Sequence, residues 1–365
     1  MTTPTIRRIG ILTGGGDCPG LNAVIRAVAK AAQGGGVDVI GYEDGYLGLI
    51  ENRFRRLTNA DVSGILTQGG TILGSCNKAN PSNYAVPDGR GGWAMQDVRQ
   101  RVVEHYHQQG LDAMVVIGGD GTMSGAARLI EMGLRFVGVP KTIDNDLMCT
   151  DVTFGHDTAV ITATDAIDKV HTTASSHHRA MVVELMGRYA GWLALHAGVA
   201  GGADVILLPE IPFRMERVIQ ACVDRCRHGK RYTIIAAGEG ATPAGGQQFV
   251  DRVDATSPDP IRLGGVAKFV ASHIEEHTGI EARHIVLGHV QRGGTPSARD
   301  RYLATLFGTA AFELIQRGQF NRLVVLQAGE INSVPIADVA DKVRTVPLDY
   351  NLIQAARAIG TSFGD

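Results

Sequence analysis

Three short stretches hold residue types whose spacing suits chemistry on phosphates. Gly118-Gly119-Asp120-Gly121-Thr122 ends the apolar run at 113–117. Without Cβ atoms such a turn lets backbone N–H groups approach phosphate oxygens, and the start of the next helix favours negative charge. Asp120, the only carboxylate of that turn, suits a hard cation such as Mg2+. A second glycine turn at 14–20 ends the run at 8–13, with Pro19 where a helix start favours proline. Two such turns could converge on one polyphosphate, although an ordinary tight βα turn would read the same way. The third stretch, Pro140-Lys141-Thr142-Ile143-Asp144-Asn145-Asp146, brings a lysine and two carboxylates close to the first turn. Further on, Met186-Gly187-Arg188 ends the run at 180–185, where α/β sheets place ligands. Arg188 there fits phosphate or sugar recognition, or equally a surface ion pair. His289 and Arg292 lie among glycines and can bind an anion or serve structure.

The elements that must hold these groups follow from the apolar pattern. Short apolar, β-branched runs at 8–13, 37–42, 113–117, 136–139, 180–185, 231–237, 285–287 and 323–327 read as strands, with a further strand entry at 201–210. Between them, 21–32, 97–109, 157–171, 215–228, 261–277 and 297–317 read as helices. In 97–109, Val98, Val102 and Tyr106 share one face before Gly110 ends the helix. In 157–171, Val160, Ala163, Ile167 and Val170 form a core stripe. Residues 81–92 are expected to be a surface loop and 241–260 a mobile loop or linker. Alternating strands and helices over 365 residues give an α/β protein, either two lobes or one large domain.

Composition narrows the function class. A formal net charge of −2 gives no global reason to expect nucleic acid or an anionic membrane as partner, so anion binding must be local. No apolar run reaches the ~18 residues of a membrane span, and the N-terminus enters a strand without a separate signal-peptide core. Five scattered cysteines, Cys18, Cys76, Cys149, Cys222 and Cys226, read as free thiols in a reducing cytoplasm.

The GGDG turn followed by TIDND resembles the 6-phosphofructokinase family, and matching blocks recur along most of the chain: TGGGDCPGLNAVIR, YEDGYLGL, GGTILGSCNKAN, MGR and GHVQRGG. The resemblance implies two lobes, each a mainly parallel sheet flanked by helices, with the active site in the cleft between them. Residues 1–155 plus 291–340 would form the donor-binding lobe and 156–290 plus 341–365 the sugar-phosphate lobe. It implies transfer of a phosphoryl group to the C1 hydroxyl of fructose 6-phosphate, a related acceptor such as sedoheptulose 7-phosphate remaining open. Asp144 would be the base, with Thr142 and Asp146 flanking it and Lys141 beside them. Gly15, Gly16, Gly119, Gly121, Thr122 and Gly125 would contact the donor, and Asp120 would hold Mg2+. Met186, Gly187, Arg188, Glu239, His289 and Arg292 would bind the sugar phosphate. Arg179 and Arg283 would reach a neighbouring subunit's substrate, which requires a homodimer or homotetramer.

Two departures from the family pattern matter. Where the family has a phosphate-bridging arginine, this chain has Asn77 with Lys78 next to it. Lysine supplies charge without the bidentate fork, so Lys78 is the candidate replacement. The donor depends on Gly121 and Lys141. Pyrophosphate-using members generally carry aspartate and lysine at these positions; here glycine leaves the space for the nucleotide α-phosphate open and neutral, whereas Lys141 fits pyrophosphate. The missing carboxylate removes the obstruction, so ATP is the expected donor and pyrophosphate the alternative. The MGR and GHVQRGG blocks argue against an NAD kinase, and the presence of Asp120 and Asp144 argues against a non-catalytic paralogue. Neither glycine turn has the spacing of a dinucleotide-binding dehydrogenase. The C-terminal tail resembles a longer bacterial branch.

Overall fold

Short apolar runs become buried strands in the computed structural model, which describes residues 6–254, 256–257 and 260–365. Five of them form the parallel centre of an eight-stranded sheet, in the order Arg322–Gln327, Phe136–Thr142, Ala113–Gly118, Arg8–Thr13 and Asp38–Tyr42. Antiparallel strands Glu330–Pro335 and Phe54–Arg56 close its two edges, and Phe154–Gly155 pairs with the end of Phe136–Thr142. A smaller sheet, ordered Val205–Leu207, Thr233–Gly238, Ala180–Leu185 and Ala282–Val286, is parallel throughout. The α/β class is therefore the one the apolar pattern implies, and each sheet has apolar clusters on both faces, as parallel sheets require.

The helix His156–His177 leaves the large sheet at Gly155 and delivers the chain to the small one at Ala180. Its first amide groups have no cap from their own segment. Asp300, in the helix Ala298–Gln316, supplies one: its buried carboxylate accepts from Gly155 N at 2.9 Å, Thr158 N at 2.8 Å and Thr158 Oγ1 at 2.5 Å. A carboxylate at a helix N-terminus satisfies orphan donors and meets the positive end of the helix dipole. Burial pushes the Asp300 acid upward while the Thr158 and Gly155 bonds pull it down.

Several expected boundaries move. The strand expected to stop at Val139 runs to Thr142, because Gly118 pairs with Pro140 and Phe154 with Lys141. Lys141 and Thr142 are thus held by a ladder, not by a loop. The expected surface loop at 81–92 contributes to an antiparallel hairpin, Tyr84–Pro87 with Trp93–Gln96. The expected linker at 241–260 contains Val250–Val253, paired with Ile261–Leu263; the following helix starts only at Val266, since Gly264 and Gly265 take φ of 156° and 107°. Beyond 323–327 the chain adds the edge strand Glu330–Pro335 and the helix Asn351–Ala358. Val346, Ile353, Ala356 and Phe363 join the core of the small sheet. No helix among the described residues is long and apolar enough to cross a membrane.

Replacing Asp300 with alanine would leave three buried donors unpaired. Asp300→Ala is expected to lower unfolding free energy by on the order of 3 kcal/mol, read from urea denaturation at neutral pH. An unchanged midpoint would show that the cap contributes nothing.

Candidate active site

All the chemical stretches follow the C-terminal ends of parallel strands, so the two sheets aim them into one cleft. On the large-sheet side, the Thr122 side chain wedges between the two glycine turns. A Cβ on Gly14 would stand 2.7 Å from Thr122 Oγ1, and one on Gly118 2.3 Å from Thr122 Cβ. Only glycines admit that wedge, which is why the loops can lie against each other. Tyr46 Oη donates to Thr122 O at 2.8 Å, and Ser75 Oγ donates to Thr13 O at 3.2 Å and also to Gly15 O. Lys141 Nζ donates to Gly16 O at 2.5 Å. Between the turns is a cavity of about 310 Å3 lined by Gly15, Gly16, Asn77, Gly119, Asp120, Gly121, Thr122 and Gly125. The helix Asp120–Ile130 starts at its wall. A Cβ on Gly121 would meet nothing within 4 Å, so that position is sterically open.

The acidic turn is held from behind. Asn145 has φ of 54°, and its side-chain oxygen accepts from Thr153 N at 3.0 Å. Arg344 of the tail donates to Asn145 O at 2.8 Å, and its own backbone N donates to Asp146 O at 2.7 Å. His156 Nδ1 lies 2.6 Å from Ile143 O. Asp144 N donates to Thr142 Oγ1 at 3.1 Å. The carboxylates themselves are poorly compensated: Oδ1 of Asp144 and Oδ1 of Asp146 are buried without hydrogen-bond partners among the described residues. Burial pushes the Asp144 acid upward against the pull of Arg292 and Lys141. Asp146 is pushed up to about 8 by burial, then by Asp144 and Asp120. Burial also lowers the Lys141 ammonium.

On the small-sheet side a cleft of about 720 Å3 is lined by Met186, Arg188, Glu239, His289 and Arg292. Glu239 is pushed up to about 7 by burial and by Asp144, while the Gly187 amide donates to it and stabilises its charge. Arg292 Nη1 donates to Asp17 O at 3.0 Å and would lie 2.7 Å from a Cβ on Gly16. Asp144 and Arg292 line both cavities, together with Gly15, Gly16, Asn77 and Arg262. One carboxylate and one guanidinium thus stand where the contents of the two spaces would meet.

Three of the expected residues lie outside this chain's own cavities. Lys78 lines neither cavity, contrary to its expected place in the donor site: its Nζ pairs with Asp254 Oδ2 at 2.9 Å and donates to Thr256 Oγ1 at 3.0 Å. A carboxylate beyond the strand Val250–Val253 offers a counter-ion, and bonds from Thr256 and Lys78 hold Asp254 below the usual carboxylate range. The cations that line the smaller cavity are Lys141, Arg262 and Arg292, and the two arginines line the larger one as well. Arg179 and Arg283 stand at the opposite, N-terminal ends of adjacent strands and both pair with Glu281, at 2.9 and 2.5 Å. A six-residue strand spans about 20 Å, which separates Arg179 from Arg188 and takes it out of this chain's own cleft. Conversely, Asp251, Arg252, Ile261 and Leu263 wall the larger cavity although 241–260 reads as a linker, and Tyr46 lines the smaller. The hairpin has no motif of its own; the YEDGYLGL block was the available signal for Tyr46.

Acidic groups in the smaller cavity can be tested for a metal. Among the described residues no three His, Cys, Asp or Glu side chains form a protein-only site. Asp120 nevertheless stands in that cavity with the unpartnered oxygens of Asp144 and Asp146. That fits a cation taking one protein carboxylate and drawing its other ligands from phosphates and water, the habit of Mg2+.

Comparison with known proteins agrees with this geometry. Residues 8–315 match the phosphofructokinase family. The chain is 49% identical over 365 residues, 99% of each protein, to ATP-dependent 6-phosphofructokinase 2 of Clostridium perfringens. Phosphofructokinase of Pichia pastoris in the T-state superposes with a TM-score of 0.78 at 30% identity over 92% of this chain, which spans 35% of that longer chain. A pyrophosphate-dependent phosphofructokinase from Nitrosospira multiformis gives a TM-score of 0.80, covering 98% of this chain and 93% of its own; at 21% identity that likeness speaks for the fold alone.

Because Asp146 is pushed up to about 8 only in the folded chain, the fold holds a proton there that the unfolded chain releases near its ordinary value of 3.8. Its contribution to stability is complete below that ordinary value and falls as pH rises toward 8. Asp146→Asn should therefore melt higher than the parent at pH 8, with the difference shrinking toward pH 4. A difference that grows on acidification would contradict the assignment.

Proposed function

The chain belongs to the phosphofructokinase family, and we propose how its residues carry the reaction of an ATP-dependent 6-phosphofructokinase. Fructose 6-phosphate occupies the larger cleft, its phosphate on His289 and Arg292 and its sugar on Met186, Gly187, Arg188 and Glu239. ATP places its phosphates over the glycine turns of the smaller cavity, against Gly15, Gly16, Gly119, Gly121, Thr122 and Gly125. Phosphoryl transfer needs positioned reactants, charge neutralisation and a proton acceptor. Asp144 accepts the proton of the C1 hydroxyl as that oxygen bonds to the γ-phosphorus and the bond to the ADP oxygen breaks. Burial raises the basicity of Asp144, which favours proton transfer. Thr142 and Asp146 fix the turn around it.

The single observation that carries this reading is that Asp144 and Arg292 line both cavities. Kinases of this type work with a divalent cation; Mg2+ held by Asp120 would neutralise donor phosphate charge. Lys141 and Arg292 add the positive charge that Asn77 lacks and that Lys78, paired with Asp254, does not bring. The open space at Gly121 supports ATP. Lys141 is what favours the second reading, a reversible pyrophosphate-dependent enzyme. Arg179 and Arg283, remote from this chain's cleft, serve the 6-phosphate site of a second copy in a homodimer or homotetramer. Five free thiols and the absence of net basic charge support a cytoplasmic enzyme without a nucleic-acid partner.

Asp144→Ala should lower kcat about 10²–10⁴-fold with KM for fructose 6-phosphate changed only a few-fold; normal turnover would refute the base assignment. Gly121→Asp should lower kcat/KM for ATP at least about tenfold through repulsion of the α-phosphate and spare pyrophosphate use. Steady-state assays with each donor decide it, and a parent enzyme that prefers pyrophosphate would overturn the choice of ATP.

A further inference from the structure

The hairpin of Val250–Val253 and Ile261–Leu263 runs from one side of the cleft to the other. Its root is fixed to the small sheet. Gly264 N donates to Phe249 O at 3.1 Å, and the buried carboxylate of Glu184, in the strand Ala180–Leu185, accepts from Gly265 N at 3.1 Å and Ala267 N at 2.9 Å. Its far end meets the large-sheet side. There Asp254 N donates to Pro260 O at 2.7 Å, while Lys78 Nζ pairs with Asp254 Oδ2 at 2.9 Å and donates to Thr256 Oγ1 at 3.0 Å. Lys78 belongs to a segment held by Asn22, whose side-chain oxygen accepts from Ile72 N at 2.8 Å, and by the Ser75 hydroxyl, which donates to Thr13 O. The stretch that has Asn77 where an arginine is expected is therefore tied to the hairpin.

The hairpin brings an arginine to that place. Arg262 is half-buried, donates from Nη2 to Ser257 Oγ at 3.0 Å, and lines both the larger and the smaller cavity. Arg252, its partner across the ladder, lines the larger one alone. Apart from two glycines, the residues common to both cavities are Asn77, Asp144, Arg262 and Arg292. Asn77 is neutral and Asp144 is the base. Arg292 is engaged at the sugar phosphate, the end of the substrate away from its C1 hydroxyl, and Lys141 lines only the smaller cavity, with Nζ on Gly16 O. Acids line the same spaces, Asp120 and Asp146 in the smaller and Asp17, Glu239 and Asp251 in the larger, so position and not net charge singles out Arg262.

We propose that Arg262 is a catalytic residue whose guanidinium contacts the phosphoryl group in transit, in the place left by Asn77, with Lys78 and Asp254 as the positioning pair that docks the hairpin; this rests on the phosphofructokinase reaction assigned to the two cavities. As the γ-phosphorus leaves the ADP oxygen for the C1 oxygen, charge spreads over its equatorial oxygens. A planar fork of donors suits two of them at once, which a lysine in the same place does not. Arg262 forms no covalent bond and passes no proton, the hydroxyl proton going to Asp144.

Steady-state kinetics of the full chain, with both substrates varied, test this. Arg262 lies outside the apolar clusters of both sheets, so its variants keep the fold. Arg262→Gln should lower kcat at least about 10²-fold, the effect of removing a preorganised donor to transition-state charge, with KM for ATP and for fructose 6-phosphate changed only a few-fold. Arg262→Lys, which keeps the charge without the fork, should recover at least about tenfold of that loss. Lys78→Met should lower kcat several-fold in the parent and have no further effect in Arg262→Gln, since its contribution passes through the hairpin. An unchanged kcat in Arg262→Gln overturns the assignment, as does a loss confined to KM. Equal losses in the Gln and Lys variants, which a residue that only shapes the hairpin would give, overturn it too. Additive losses from Lys78→Met and Arg262→Gln overturn the positioning role of the ion pair. A parent chain that phosphorylates no sugar with either donor sinks the functional reading itself, a result separate from any difference among the variants.

Discussion

Placing two carboxylates in one buried turn is the constraint around which this molecule is arranged. Asp144 and Asp146 each keep an oxygen with no donor among the described residues, and their mutual repulsion adds to the cost of burial. Such a turn would relax if its backbone were free. It is held by the ladder that runs through Thr142, by Thr153 on the Asn145 side chain, by His156 on Ile143 O and by Arg344 on Asn145 O. The unfavourable electrostatics are therefore local, and the restraint comes from several elements at once.

The cations answer that charge from both sides of the cleft. Lys141 reaches the first glycine turn within the large-sheet side and Arg292 reaches Asp17 from the small-sheet side, so of the two groups that offset Asp144, Arg292 also ties the two sides together. The glycine turns accept this crowding because Thr122 fills the space that side chains on Gly14 and Gly118 would need. Bare glycine turns and a cation-lined approach to Asp144 are thus two results of one packing arrangement.

The tail plays a part out of proportion to its length. Arg344 stacks on Trp192, while Trp192 Nε1 donates to Arg344 O at 2.9 Å and Glu210 accepts from both Gly191 N and Val346 N. These contacts join the small-sheet core to the turn that carries Asp144.

Local patterns were enough to read the class, most strands and helices, and the motif residues that the fold gathers around two cavities, because glycine turns, Asp120 and the 140–146 stretch are contiguous and sit at strand ends by construction. Long-range partnership decided the rest. Lys78 lies next to the donor stretch in sequence, yet a carboxylate 176 positions later, Asp254, draws it away. Arg344 grips Asn145 from 199 residues away, Asp300 caps a helix 142 residues earlier, and the hairpin walling the larger cleft carries no pattern that distinguishes it from a linker. Which groups could do chemistry was written in residue type and spacing; which of them face each other was decided only when the chain packed, since a charged side chain goes to the counter-charge that folding brings nearest.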